Sequence, residues 1–249
     1  MKYTVSLILA VLALCHGSAA LGLGYRFSEG ETAVYRLVKE VSIEGAPSSD
    51  IIGNNFTEES VMELRASGVS PDSYSLSYEV VSGVLSRDGA GEPLSSTGEV
   101  YPVVISPKGE ILGSKGLNQQ LHYELMMPLL PEGEAVVGDT WPYKIVSKKE
   151  MMNFVNSDIV YTLKEIKQTD GGEIYIIGFS GSSLSSEKSE ALETSFNKAI
   201  EGDIYFDGSA GRVSSASSIE HLNIKIYNAF TRSAMNIRST TKLLFEMYR

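Results

Sequence analysis

The sequence predicts a mainly β protein, a single large curved antiparallel sheet, half-barrel-like, covered by two or three short helices. Three observations predict it. Apolar and polar residues alternate with period 2 along most of the chain, which places one face in a core and the other in water. Clusters of Gly, Pro, Ser, Asn and Asp separate those runs at hairpin spacing. A central stretch, 117–141, interrupts them with a Leu/Met-rich stripe, two prolines and the only tryptophan, Trp141.

Taken in order, 21–24 reads as a loose lead-in and Tyr25-Arg26-Phe27 as a short strand before a turn. A long strand follows over 32–43, with Ala33, Tyr35, Leu37, Val41 and Ile43 on one parity and Lys39 as the single charge among them. After a polar loop, which holds the sequon Asn55-Phe56-Thr57, 60–67 and 72–85 form a hairpin across Gly68–Asp72. Tyr74, Leu76, Tyr78 and Val80 alternate there with Ser73, Ser75, Ser77 and Glu79, the pattern of a sheet with one solvated face. The Gly/Ser/Pro-rich stretch 87–98 reads as a mobile loop, and 101–112 as a hairpin turning at 106–109.

Leu117, Leu121, Leu125 and Met126 then lie on one helical stripe, which Pro128 and Pro131 end because a prolyl ring does not fit inside a helix. Asp139-Thr140 turn the chain into a strand starting at Trp141, and 148–156 reads as a helical turn or a loop. Hairpins over 158–180 and 203–217 flank a segment with Leu192, Phe196 and Ala199 at helical spacing. Long strands close the chain, where Leu222, Ile224 and Ile226 alternate with His221, Asn223, Lys225 and Tyr227. The layout suggests two pseudo-repeated halves, 24–116 and 142–249, around the central segment, within one domain over 21–249; convergence on hairpin chemistry is the alternative.

Residues 1–20 read as a signal peptide. Lys2 gives a short positive n-region, Val5 to Leu14 an apolar run about half as long as a bilayer span requires, and Gly17 to Ala20 the small residues of a cleavage site. Export to a periplasm or to the outside follows, with no transmembrane span expected in the mature chain. Leu12-Ala13-Leu14-Cys15 opens an alternative, a lipoprotein anchored through Cys15, although Leu14 stands where that motif wants a small residue. Cys15 is the only cysteine, so the mature chain must be held by its core without disulfides, and thiol catalysis and Cys-ligated zinc fall away. The chain's net charge is −10, and loss of Lys2 makes it −11, the wrong sign for unaided binding to nucleic acid or anionic lipid.

The chemistry on offer is sparse. His122 and His221 each lack a partner at the i+4 spacing that would grip zinc, so no metal site and no cofactor is expected. No Gly-x-Ser-x-Gly elbow occurs, and Asp139, Asp203 and Asp207 read as turn residues, so no catalytic residue is assigned. Lys225, Tyr227, Phe230 and Arg232 interleave cations with aromatics, but their apolar opposite face makes them ordinary outer-face positions, and no nucleic-acid partner is expected.

A Tyr-x-Phe-x-x-Gly-Glu start (Tyr25, Phe27, Gly30, Glu31), the central Leu-Pro segment ending in Gly138-Asp139-Thr140-Trp141, and later Phe-Asp-x-x-x-Gly hairpins resemble a set of uncharacterised exported β-rich bacterial domains. At fold level, one curled sheet with covering helices is similar to periplasmic lipoprotein carriers of the LolA/LppX type, which hold lipid in the concave sheet. The function expected is that of a non-enzymatic exported binding protein, with a lipid or other apolar ligand between concave sheet and central helix; the Leu/Met cluster of that helix carries the ligand expectation, not the fold-level analogy. The residues for it are Leu121, Leu125, Met126, Met127, Leu130 and Trp141, an apolar lid. The alternative is a cell-envelope interaction module with a filled core, whose partner is an envelope protein.

Overall fold

The computed structural model describes residues 22–45, 55–114, 127–146 and 156–248. Among these, twelve strands form one antiparallel sheet: β1 (Thr32–Glu44), β2 (Asn55–Val69), β3 (Tyr74–Arg87), β4 (Ala90–Pro93), β5 (Val100–Ile105), β6 (Ile111–Ser114), β7 (Thr140–Val146), β8 (Asn156–Thr169), β9 (Gly172–Lys188), β10 (Leu192–Asp207), β11 (Arg212–Asn228) and β12 (Ser233–Tyr248). The order across the sheet is β6-β5-β3-β2-β1-β12-β11-β10-β9-β8-β7, with β4 on β3, and the ladder does not close into a barrel. The centre is the pairing of β1 with β12, in the register Leu37 opposite Phe245.

The core lies on one face and toward one end of the strands, here called the lower end. Tyr35, Leu37, Met62, Leu64, Leu76, Tyr78, Val103, Ile105, Tyr161, Leu163, Ile177, Ile204, Phe206, Val213 and Phe245 are buried there in a single cluster. They are the inward parity of each strand, as the alternation requires. Tyr35 and Phe245 stack across the central ladder with ring centroids 4.4 Å apart. Burial pushes the Tyr35 hydroxyl up to about 12. Lys39, the charge on the inward parity of β1, reaches Glu58 of β2 at 3.8 Å.

Several expectations change. No helix occurs among the described residues, so the covering helices are not found there; 117–126 and most of 148–156 lie outside them. The segment with Leu192, Phe196 and Ala199 is strand β10, paired along its length with β9 and β11. Leu192 and Phe196 fit period 2 as well as period 3.6, and Lys198 hid the alternation because it is a charge at an inward position. The loop 87–98 contains β4, which pairs with the end of β3 through Ser86 and Gly91, so an edge of the sheet is extended. Asp203 sits within β10 instead of in a turn.

The lead-in is the largest departure. Residues 22–28 are neither loose nor a strand: they form a strap across the lower end of the core. Leu23, Tyr25 and Phe27 are buried. The Tyr25 amide donates to the Pro107 carbonyl at 2.8 Å and the Arg26 amide to the Gly211 carbonyl at 3.0 Å. One short segment thus links the β5–β6 turn to the β10–β11 turn. Backbone amides were satisfied by turns of other strands, which no local periodicity announces.

Candidate functional site

The segment expected to form the lid divides at the described boundary. Leu121, Leu125 and Met126 lie outside the described residues, whereas Met127, Leu130 and Trp141 are buried in the core cluster. The Leu130 amide donates to the Lys108 carbonyl at 2.7 Å, and the Trp141 indole N–H donates to the Leu129 carbonyl at 2.8 Å. Trp141 also lies against Tyr161, with ring centroids 5.8 Å apart and an interplanar angle of 23°. This ties the segment before β7 to the turn after β5. The inner space beside it is occupied by Tyr25, set edge-on to Phe206 at 5.5 Å, and by Phe27, edge-on to Tyr74 at 5.2 Å.

The strap is anchored electrostatically as well. Glu31 accepts from the Ser28 amide at 2.8 Å and from the Arg212 guanidinium, which also stands over the Phe27 ring. Burial pushes the Glu31 carboxyl up, but the Ser28 amide and Arg212 outweigh it and hold it below its ordinary value. Asp207 is likewise held low: burial opposes this, and the Ser209 hydroxyl, the Ala210 and Ser209 amides and Arg212 override it. These are the hydrogen bonds of a β-turn, so Asp207 serves the turn at 207–211. Asp139 does the same for its own turn, accepting from the Val136 amide at 2.9 Å.

Above the core, the inner face changes character twice. First comes a polar belt. Lys198 Nζ lies 2.7 Å from Glu220 on the neighbouring strand, with side chains only 11% and 18% exposed, and Ser183 and Ser218 are buried at that level. Beyond the belt, β10, β11 and β12 continue upward and their inward positions turn apolar again. Phe196, Ile224 and Ile237 form one cross-strand row, and Ile226 and Met235 pair in the next. No residue of these strands above Lys198 is buried. From Lys198 to the end of β10 at Leu192 is roughly 20 Å of strand. Among the described residues this is an inward-facing, half-covered apolar surface. The sequence carried its signal, since Leu222, Ile224 and Ile226 alternate cleanly, but gave no sign that the core would stop below them.

The outer face carries a groove of about 720 Å³ that crosses β8, β9, β10, β11, β12 and β1. Its floor includes Gly178, Ser180 and Ser217, its apolar side chains Val38, Val160, Ile219 and Leu244, and its charges Glu40, Lys164, Glu201, Asp203 and Lys242. Lys164 is the extra residue of a bulge in β8; it passes over Gly178 of β9 and reaches Asp203 of β10 at 2.5 Å. A second, smaller groove of about 500 Å³ meets it at Glu40 and Lys242.

His221 is exposed on the outer face, with Nδ1 3.2 Å from the Thr240 hydroxyl, and His122 lies outside the described residues. Among the described residues no three His, Cys, Asp or Glu side chains gather in a way that could hold a metal ion. No helix among them is long and apolar enough to cross a membrane, a statement that does not extend to strands.

The comparisons add little to this geometry. No known family matches the chain, and no curated protein matches it either. Among solved structures, the chain is similar to one described as "Asymmetric conductivity of engineered proteins", at 7% identity over 88% of this chain and 100% of the other, with a TM-score of 0.21. It is also similar to P47 from Clostridium botulinum A2, at 9% identity over 86% and 81% of the two chains with a TM-score of 0.17. P47 of Clostridium botulinum E1 follows at 10% identity over 88% and 81%, with a TM-score of 0.16. Scores this low carry no argument about this chain.

Proposed function

We propose that this chain is a non-enzymatic exported binding protein that takes a lipid or other long apolar ligand against the inner face of its sheet. One observation carries the reading: the apolar rows of Phe196, Ile224, Ile237, Ile226 and Met235 stand above the Lys198–Glu220 belt, beyond the buried core of the described residues. Each Å² of apolar area that such a half-covered surface leaves in water costs about 25 cal/mol, which a bound apolar ligand would recover. The belt below it suits an amphiphile, because a buried ion pair with serines beside it offers donors and acceptors to a polar head. In this reading the ligand sits higher than the segment around Met127, Leu130 and Trp141, whose side chains belong to the core. The signal-like residues 1–20 support export, and Cys15 keeps a lipid-anchored form as the variant of it.

Native mass spectrometry of protein purified from its own host tests the proposal. A co-purifying lipid mass is expected, and Ile224→Glu is expected to remove it while leaving the melting temperature of the core little changed. A clean ligand-free mass together with no uptake of a fluorescent fatty acid overturns it.

A second reading has its own observation. The lower core is filled by Tyr25, Phe27, Met127, Leu130 and Trp141, and the outer face has the long groove beside Lys164 and Asp203. Both fit an envelope interaction module that works through its outer surface. Loss of partner capture by a groove variant such as Ile219→Glu, with lipid uptake absent, would favour it.

A further inference from the structure

The ladder of twelve strands is open on both sides, and a bare strand side offers a row of backbone N–H and C=O groups to any chain that can pair with it. The prolines of this chain are distributed with respect to those sides. Of eight in all, three lie within strands: Pro93 in β4, Pro102 in β5 and Pro142 in β7. Among the described residues, β7 ends the ladder on one side, β4 ends it on the other, and β5 runs past the end of β6 at Pro102. The strands paired on both sides, β1, β2 and β9 to β12, contain no proline.

What a strand proline does depends on where its nitrogen points. In an antiparallel ladder successive residues bond alternately to the neighbour and away from it. The Leu163 amide donates to the Asp139 carbonyl at 3.0 Å, and the Gly138 amide to the Leu163 carbonyl at 2.8 Å. Alternation from Asp139 aims the amides of Trp141 and Tyr143 at β8, and places Thr140, Pro142 and Lys144 on the bare side. Across the sheet, the Val80 amide donates to the Glu99 carbonyl at 3.3 Å and the Gly98 amide to the Val80 carbonyl at 2.8 Å. Tyr101 is therefore bonded to Tyr78, and Pro102 turns away from β3. The Leu94 amide donates to the Gly83 carbonyl at 3.0 Å, so Pro93, opposite Val84, turns away as well. Each ring stands where an amide would otherwise be offered outward, and none removes a bond from the ladder it belongs to. Below Asp139 the bare side passes to β8, which bulges at Lys164 and carries the charges Glu165 and Lys167.

From this we infer that Pro93, Pro102 and Pro142 are edge guards, which withhold the donors a further strand needs, so that the sheet neither adds a strand of a second copy nor closes β7 onto β6. Strand addition is held by main-chain bonds at every second residue. On β7 the middle donor of Thr140, Pro142 and Lys144 is missing, which leaves the other two roughly 13 Å apart along the strand. An incoming carbonyl opposite Pro142 would meet the ring and be left unpaired. Partners are thereby directed to the two faces of the sheet and away from its sides. The inference is independent of the ligand reading above, since it holds whether or not an apolar molecule occupies the inner face.

Hydrogen exchange and sedimentation of the purified protein test it. In the unaltered protein the amides of Thr140 and Lys144 are expected to exchange at least about tenfold faster than those of Trp141 and Tyr143. Combining Pro93→Thr, Pro102→Thr and Pro142→Thr restores three outward amides with a residue that suits a strand. That variant is expected to sediment as dimers or larger species in proportions that rise with concentration, where the unaltered protein does not, and to protect Thr140 and Lys144 from exchange. The emission of Trp141, an indole held in the core, reports that the variant keeps its fold. A triple variant with native emission that sediments as the unaltered protein does overturns the inference. So does association that leaves Thr140 and Lys144 exchanging freely, because the contact then lies elsewhere. Equal protection of Thr140, Trp141, Tyr143 and Lys144 in the unaltered protein also overturns it, because β7 would then already be paired on both sides. If the triple variant loses its native emission, Pro142→Thr alone decides the sedimentation result.

Discussion

The Tyr25 hydroxyl donates to the carbonyl of Pro128 at 2.9 Å, across 103 residues of chain. Tyr25 comes from the strap and Pro128 from the segment that leads into β7, so one buried contact joins two pieces that belong to no strand. Tyr25→Phe keeps the ring against Phe206 and leaves the carbonyl without this donor in a buried place. The expected loss is about 1–3 kcal/mol in urea denaturation. Tyr25→Ala also removes the ring and is expected to cost about 3–5 kcal/mol.

Two glycines let the strap approach. Gly109 and Gly211 have φ of +89° and +64°, and a Cβ at either would collide. At Gly109 it would lie 2.6 Å from the Pro128 carbonyl oxygen and 2.7 Å from the Tyr25 ring; at Gly211, 2.7 Å from the Arg26 side chain. Gly109→Ala and Gly211→Ala are each expected to destabilise by more than the ~1 kcal/mol of an ordinary left-handed substitution. Gly89→Ala, at the same kind of φ with open space around it, is the control and should cost only the backbone part. Thermal melts of the three variants check the ranking.

The carboxylates at the strap make stability acid-sensitive. Glu31 and Asp207 are both held below their ordinary values of 4.5 and 3.8. A lowered folded value means that the stabilisation is fully present above those ordinary values and is lost as pH falls through the folded ones. Melting temperature is therefore expected to drop below about pH 4.5, and Glu31→Gln with Asp207→Asn should flatten that drop while lowering the plateau near neutrality. At the other extreme Tyr35 is raised to about 12, so its contribution is present below pH 10 and lost as pH climbs toward 12.

The Lys198–Glu220 pair offers an asymmetric test. Lys198→Met leaves a largely covered carboxylate without its cation and is expected to cost about 1–3 kcal/mol, discounted from the fully buried case because both groups keep some water. Lys198→Met with Glu220→Leu removes both charges from the inner face and is expected to recover most of that loss. If the double variant is no more stable than the single, the pair is not coupled. Equilibrium unfolding of the four members of the cycle measures it.

Much of the sheet was legible because its signal is local. Runs of clean apolar alternation, such as Leu76, Tyr78 and Val80 in β3, give the right parity, and so does β1 in spite of Lys39. Failure came where a charge took an inward position, as Lys198 does in β10. It came also where the partner is remote, as for the strap over 22–28, held by Pro107 and Gly211; β4 pairs locally with the end of β3 across Asp88-Gly89, but Ala90–Pro93 carries no apolar alternation to announce it. For the candidate site, burial of Met127, Leu130 and Trp141 followed from their apolarity, but the level at which the core stops could not. That level depends on which strands are longer than the core they cover. No residue on β11 records it, because Ile224 is as apolar as the buried Val213.

The central ladder has a kinetic meaning of its own. Every other long ladder joins strands close in sequence, so its loop closes cheaply, but β1 and β12 pair Val34 with Tyr248. Each half can zip up hairpin by hairpin, yet the middle of the sheet is sealed last, by the first long strand and the last. Until then two half-sheets coexist with bare inner strands at β1 and β12, each a template for a foreign edge. The vulnerable moment in this protein's life is the interval before that seam forms, and its folding rate should be set there.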